Sequence, residues 1–140
     1  GSDDGLDMSI CFIKPLERKI IFAGAKQSLY HCWSNEIDEI KGDRQSIGYV
    51  DSSEDFEYTN HEIEVRYRSI FYLSSDGFKD MPIDSDGQIL GKKSFRNLLS
   101  SISLKELDVQ QKYLENIIQH SGGKHENYDD ITIFAFSLKE

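Results

Sequence analysis

Residues 69–77 read Ser-Ile-Phe-Tyr-Leu-Ser-Ser-Asp-Gly. The run Ser69 to Leu73 is continuously apolar, the pattern of a strand covered on both faces rather than one. It leads straight into Ser74-Ser75-Asp76-Gly77. A buried strand that ends in an Asp-Gly corner delivers a carboxylate to the end of a sheet. A second stretch has the mirror-image arrangement. Asp129-Asp130 precedes the apolar run Ile131 to Leu138 (ITIFAFSL), so two acids open a strand here where one closed it there.

Working upstream, Ile63, Val65 and Tyr67 alternate with Glu62, Glu64 and Arg66, the period of a half-buried strand. Residues 41–61 carry Gly42, Gly48 and an acidic stretch and read as loop, with room for a short strand at Glu57 to Thr59. Met8 to Ile13 (MSICFI) and Lys19 to Ala23 (KIIFA) are rich in strand formers and flank a turn at Pro15-Leu16-Glu17-Arg18, which predicts a hairpin. Ser28 to Trp33 follows a small-residue corner at Gly24-Ala25, with Glu36 to Ile40 as its pairing partner. Downstream, Phe95, Leu98, Leu99 and Ile102 make one helical stripe. Ser103-x-x-Glu106 has the form of a capping box opening a second helix, which carries Leu107, Leu114, Ile117 and Ile118 inward and stops at Gly122-Gly123. Strands first, then helices, then one returning strand predict an α+β fold of antiparallel sheets packed with helices.

The 140 residues suffice for one domain with a core of its own. Gly1-Ser2 reads as a scar of tag removal, with the natural chain expected to continue upstream and residues 3–140 forming one unit. No apolar run approaches the roughly 20 residues that span a bilayer, and the acidic N-terminus has no signal-peptide pattern, so the expected setting is the cytoplasm. The net charge of −9 repels a phosphate backbone and argues against nucleic acid as a partner. Cys11 and Cys32 stand apart in apolar stretches and read as reduced core residues, not as a zinc site.

Asp76 and Asp129 would meet if their two strands were antiparallel neighbours. Clustered carboxylates repel one another and persist where a hard divalent cation neutralises them; oxygen-only ligation favours Mg²⁺ or Mn²⁺ over zinc. Each acid alone has an ordinary explanation, since Asp-Gly is a common turn pair and Asp before a strand a common loop residue. Together, at the ends of the two most apolar strands, the metal and turn readings stand level. Asp84-Ser85-Asp86-Gly87 lacks the spacing and terminal Glu of a calcium loop and reads as a polar turn. His31, His61, His120 and His125 show no ligand spacing, although His125 lies in a loop that could approach Asp129.

The succession DGLDMSICFI, ERKIIFAGAKQSLY, EIKGD, TNHEIEV, FYLSSDGFKD, GKKSFRNLL and YDDITIFAF resembles the C-terminal portion of the SpoIIE-like phosphatase domain. That branch belongs to the PPM (protein phosphatase 2C-like) superfamily. The resemblance implies an α-β-β-α sandwich and hydrolysis of phosphoserine or phosphothreonine, with two Mn²⁺ or Mg²⁺ ions sharing a bridging water. By position, Asp76 and Asp129 would together hold one of the two metals, with Gly77 turning the backbone tightly beside it. Asp80 would stand near a third, weaker metal, and Asp130 outside the ligand set or capping the strand.

The family's bridging aspartate and its paired Asp-Gly lie on earlier strands that this sequence does not include. Asp3-Asp4-Gly5 is no substitute, because no buried strand leads into it. The Ala-Gly-Ala-Lys corner likewise lacks the acid of the Gly-Asp-Ser-Arg motif found outside this branch. The resemblance therefore implies a bacterial signalling phosphatase of which these 140 residues alone show little turnover. Its substrate would be a phosphorylated protein of the anti-sigma-factor-antagonist kind, with a sensor module upstream. The rival reading is a degenerate phosphatase fold that binds a signalling partner without catalysis. Either way, an incomplete domain is expected to expose apolar sheet and to form homodimers.

Overall fold

Arg18 takes up a left-handed backbone conformation (φ 50°) and its N–H closes a 3.1 Å bond to the Pro15 carbonyl, turning the chain between β1 (Met8–Lys14) and β2 (Lys19–Ala25). The computed structural model describes residues 5–49, 52, 53, 55–83, 86–121 and 129–138. Within them β5 (His61–Glu64) pairs with the other side of β2, giving an antiparallel sheet in the order β1-β2-β5. A second hairpin joins β3 (Ser28–Trp33) to β4 (Glu36–Lys41) through Ser34 and Asn35, both at positive φ, as the commonest two-residue hairpin turn requires. With β6 (Ile70–Ser74) and β7 (Ile133–Phe136) these strands form a second antiparallel sheet, ordered β4-β3-β6-β7. Helices α1 (Gly91–Ile102) and α2 (Leu107–His120) complete an α+β fold.

Alternation along β3 and β6 splits the core in two. Leu29 and Phe71 point toward the β1-β2-β5 sheet and meet Ile20, Phe22, Ile63 and Val65. Tyr30, Cys32, Ile70 and Tyr72 point the other way, against Phe78, Phe95, Leu99 and Ile102. The β6 strand is thus packed on both faces, which is why its sequence is apolar without a break. Each of Phe95, Leu99 and Ile102 is at most 1% exposed, and each such burial stabilises the fold by about 1.5–3 kcal/mol. The layers run helices, β4-β3-β6-β7, β1-β2-β5. The outer face of the last carries Ile10 and Phe12 at 53% and 61% exposure.

Several local expectations give way to longer-range contacts. Ser103 does not cap α2: its hydroxyl donates back to the Ser100 carbonyl (2.8 Å), and the Lys105 N–H bonds Ile102 (2.9 Å), so the residue ends α1 instead. Glu106 holds the N-cap position of α2 without a side-chain cap. Leu107 and Ile118 are partly exposed, and Gln110 is buried in their place. Its amide accepts the Tyr72 hydroxyl (2.7 Å) and donates to the Lys105 carbonyl (2.7 Å), tying helix to sheet. The strand expected to reach Tyr67 ends at Glu64, because Ser69 bonds Arg66 across a turn, and Tyr67 is exposed. No strand forms over 57–59; there the Thr59 N–H and hydroxyl donate to Asp43 (2.7 and 2.9 Å) and hold that carboxyl below its usual range. Cys32 is buried and Cys11 half-buried, and burial pushes their thiols up to about 12 and about 11. The expected helix stop at Gly122-Gly123 lies outside the described residues. Among those described, no helix is long and apolar enough to cross a membrane.

Candidate metal centre

The pairing of β6 with β7 is antiparallel, with Ser74 opposite Ile133. Continuing that register past the strand ends sets Ser75-Asp76-Gly77 beside Asp129 to Thr132. Ser75 fastens the two segments. Its N–H donates to the Thr132 carbonyl (2.9 Å), and its hydroxyl accepts the Thr132 N–H (2.9 Å) while donating to the Asp130 carbonyl (2.8 Å). Gly77 then passes so close that a Cβ there would lie 2.5 Å from the Asp130 carbonyl oxygen and 2.9 Å from that of Asp129. No side chain fits in that space. The approach of the two Asp-bearing segments thus depends on a glycine following Asp76.

Asp76 and Asp129 both present exposed carboxylates at this corner. The Asp129 carboxylate also accepts the N–H of Asp130 (3.0 Å), which fixes its side chain. Asp130 contributes its carbonyl to the Ser75 bond, and its own carboxylate is exposed. Asp80 follows on the turn, its N–H bonded to the Asp76 carbonyl (3.1 Å). Its carboxylate is engaged by Lys79, whose ammonium stands 3.1 Å from Asp80 Oδ2 and 3.3 Å from Asp76 Oδ1. Burial pulls the Lys79 pKa down, but the hydrogen bonds and charges of Asp80 and Asp76 outweigh it and raise the pKa above its ordinary value. The apolar-to-acidic pattern singles out neither Ser75 nor Lys79, although a lysine three residues after Asp76 on a turn is a signal the sequence does contain.

The fold therefore brings Asp76, Gly77, Asp129 and Asp130 together and ties Asp80 to an ammonium. Asp84 and His125 lie outside the described residues. Among the described residues no three His, Cys, Asp or Glu side chains converge on one point as a metal-holding group. What is present, two exposed carboxylates at a corner kept open by a glycine, suits a hard divalent ion as far as two side-chain ligands can.

The Stage II sporulation protein E (SpoIIE) family matches residues 3–139. The chain belongs to the SpoIIE family. No curated protein is similar enough to count as a match. Among solved structures, the SiaA-PP2C domain of Pseudomonas aeruginosa is 32% identical over 95% of this chain and 52% of its own, with a TM-score of 0.84. The serine/threonine phosphatase PstP/Ppp of Mycobacterium tuberculosis is 16% identical over 97% and 61% of the two chains, with a TM-score of 0.64. A PstP catalytic domain in complex with two manganese ions is 14% identical over 94% and 57%, with a TM-score of 0.63. The fold of this SpoIIE chain is that of PPM phosphatase domains. It spans about half the length of the SiaA-PP2C chain.

Proposed function

We propose that this chain is the C-terminal portion of a metal-dependent protein serine/threonine phosphatase, and that its Asp76 and Asp129 carboxylates hold one divalent ion, Mn²⁺ or Mg²⁺. The observation that carries this is the β6–β7 register, which sets the two acids at one corner of a SpoIIE-family fold. The bound ions would supply Lewis-acid activation of a water for attack on phosphorus. The chain's own residues have positional work. Ser75 locks the strand ends, Gly77 admits the Asp129-Asp130 backbone, and Lys79 lies within ion-pair distance of the Asp76 and Asp80 carboxylates. The remaining ligands belong, in this proposal, to the part of the domain outside these 140 residues. The substrate we assign is a phosphorylated protein of the anti-sigma-factor-antagonist type in a bacterial cytoplasm, with a sensor or regulatory domain preceding the catalytic one.

The direct test is the full protein assayed on a phosphoserine peptide with and without Mn²⁺. Turnover should require the ion and should vanish in Asp76→Asn combined with Asp129→Asn; turnover that persists in that variant refutes the metal-holding role of both acids. One observation favours a second reading, a partner-binding module without catalysis. The Lys79 ammonium already pairs with Asp76 and Asp80 without any metal. In that case the full protein binds no Mn²⁺ and hydrolyses nothing.

A further inference from the structure

Beside Asp76 lies a cavity of about 230 Å³ whose wall includes Lys26, Ser28, Glu39, Asp76, Lys79 and Lys92. Three lysines around one small cavity run against the trend of a chain with net charge −9. Two of them are already spent. Lys79 sits between Asp76 and Asp80, and Lys92 reaches Glu39 at 2.7 Å, a glutamate whose side chain is 6% exposed and also accepts the Ser28 hydroxyl at 3.0 Å. Lys26 pairs with no carboxylate among the described residues. Its ammonium lies 5.4 Å from the Tyr49 ring centroid, a contact that orients a cation without neutralising it.

The backbone under Lys26 is built to hold it there. The residue has φ 54°, a left-handed conformation that costs a side-chain-bearing residue energy and survives only when its surroundings over-determine it. They do. The Lys26 N–H bonds the Asp43 carbonyl (2.8 Å), the Asp43 N–H bonds the Gly24 carbonyl (2.8 Å), and the Gly42 N–H bonds the Gln27 carbonyl (3.0 Å). Gly24 and Gly42 pass so close to the Gln27 carbonyl that a Cβ on either would lie 2.3 or 2.4 Å from it. Two glycines and three backbone bonds thus fix a strained corner at the wall of the cavity beside Asp76.

We propose that this cavity is an anion subsite for the phosphoryl group of the substrate, with Lys26 as its free cation and a positioning residue for the reaction. The proposal rests on the phosphatase reading above. A phosphomonoester dianion placed there would have the Asp76 corner on one side and Lys26 on the other, within reach of its ammonium once that side chain turns from the Tyr49 ring. Charge-assisted hydrogen bonds of that kind are stronger and shorter than neutral ones. Lys26 exchanges no proton and forms no bond to phosphorus; it binds and orients.

The test uses the full protein with Mg²⁺ and inorganic phosphate as the probe, read by titration calorimetry, alongside KM and kcat on a phosphoserine peptide. Lys26→Asn removes the cation while keeping a residue that tolerates positive φ, and Lys26→Arg restores the charge. The asparagine variant should weaken phosphate binding and raise KM roughly tenfold or more, with kcat changed far less and thermal stability not lowered. The arginine variant should recover most of the loss. A purely structural Lys26 would instead lower stability without splitting KM from kcat, and that result overturns the proposal. Unchanged phosphate affinity in Lys26→Asn, with peptide turnover intact in the unaltered protein, also overturns it and leaves the phosphatase reading standing. Phosphate binding that depends on Lys26 in a protein that hydrolyses no peptide would leave an anion site with no reaction to serve, and overturns the proposal together with the phosphatase reading. A protein that binds no phosphate at all sinks the subsite.

Discussion

The two faces of the β1-β2-β5 sheet are built from the same kinds of residue and meet different surroundings. Inward, Ile20 and Phe22 are fully buried against Leu29 and Phe71 of the neighbouring sheet. Outward, Ile10 and Phe12 on β1 stand more than half exposed, with nothing of the described chain over them. An alternating strand announces which side chains share a face, but a strand apolar on both faces announces two covers. The β1 strand has the second pattern, and the described residues supply one cover. The two faces therefore meet different surroundings: one is covered by this chain, the other by none of the described residues.

Paired substitutions across the sheet break or sharpen that contrast. The largest effect is expected on the closed side. Phe22→Ala should cost about 3–5 kcal/mol in urea unfolding, the usual range for emptying a buried phenylalanine site. A cost below about 1 kcal/mol would mean the interface between the sheets is not closed. The same interface holds His31, stacked on Phe71 at 4.4 Å and beside Trp33 at 4.5 Å, with Nε2 2.7 Å from the Ser69 hydroxyl. Burial, only partly countered by Asp38, pushes its pKa from 6.5 down to about 4. The unfolded chain then takes up a proton that the folded one refuses. Stability should fall as pH drops from about 6.5 toward about 4, by roughly 3 kcal/mol at most. In His31→Phe that part of the slope should disappear; a wild-type profile in the variant would mean the ring is hydrated. The smallest effect on stability belongs to the open side. Phe12→Ser should change unfolding by no more than about 0.5 kcal/mol. It should nonetheless reduce self-association of the 140-residue chain seen by light scattering, and a chain that stays monomeric at millimolar concentration would remove the expected homodimer.

Sequence reading went furthest where local pattern and long-range contact agree. The acidic corner of the run 69–77 and the acids at 129–130 lie at adjoining ends of the neighbouring antiparallel strands β6 and β7, and the break from apolar run to acidic corner marks both. The β1–β2 and β3–β4 hairpins were legible for the same reason, each being closed by its own turn residues. What escaped depends on partners far away in the chain. The inward place of Gln110 exists because Tyr72, 38 residues earlier, offers it a hydroxyl. Ser103 matched a capping box in spacing, yet the turn that closes α1 claimed it first. The corner at Lys26 looked like small-residue punctuation. Its strain and its direction come from Gly42 and Asp43, which no period in the sequence connects to it. At the candidate centre the carboxylates were legible and Lys79 was not, since its role follows from the turn and not from the strand before it.

The central claim is that Asp76 and Asp129 grip the same divalent ion. It is tested most directly by Mn²⁺ titration calorimetry on the full protein and on Asp76→Asn, Asp129→Asn and the double variant. Even changes outside the ligand set of a metal site cost about 10–100-fold in affinity, so each single variant should lose one binding event almost entirely. The double variant should lose no more than the worse of the two. Losses that multiply independently, or an Asp129→Asn protein that binds Mn²⁺ as tightly as the unaltered one, would show that the two acids do not share an ion.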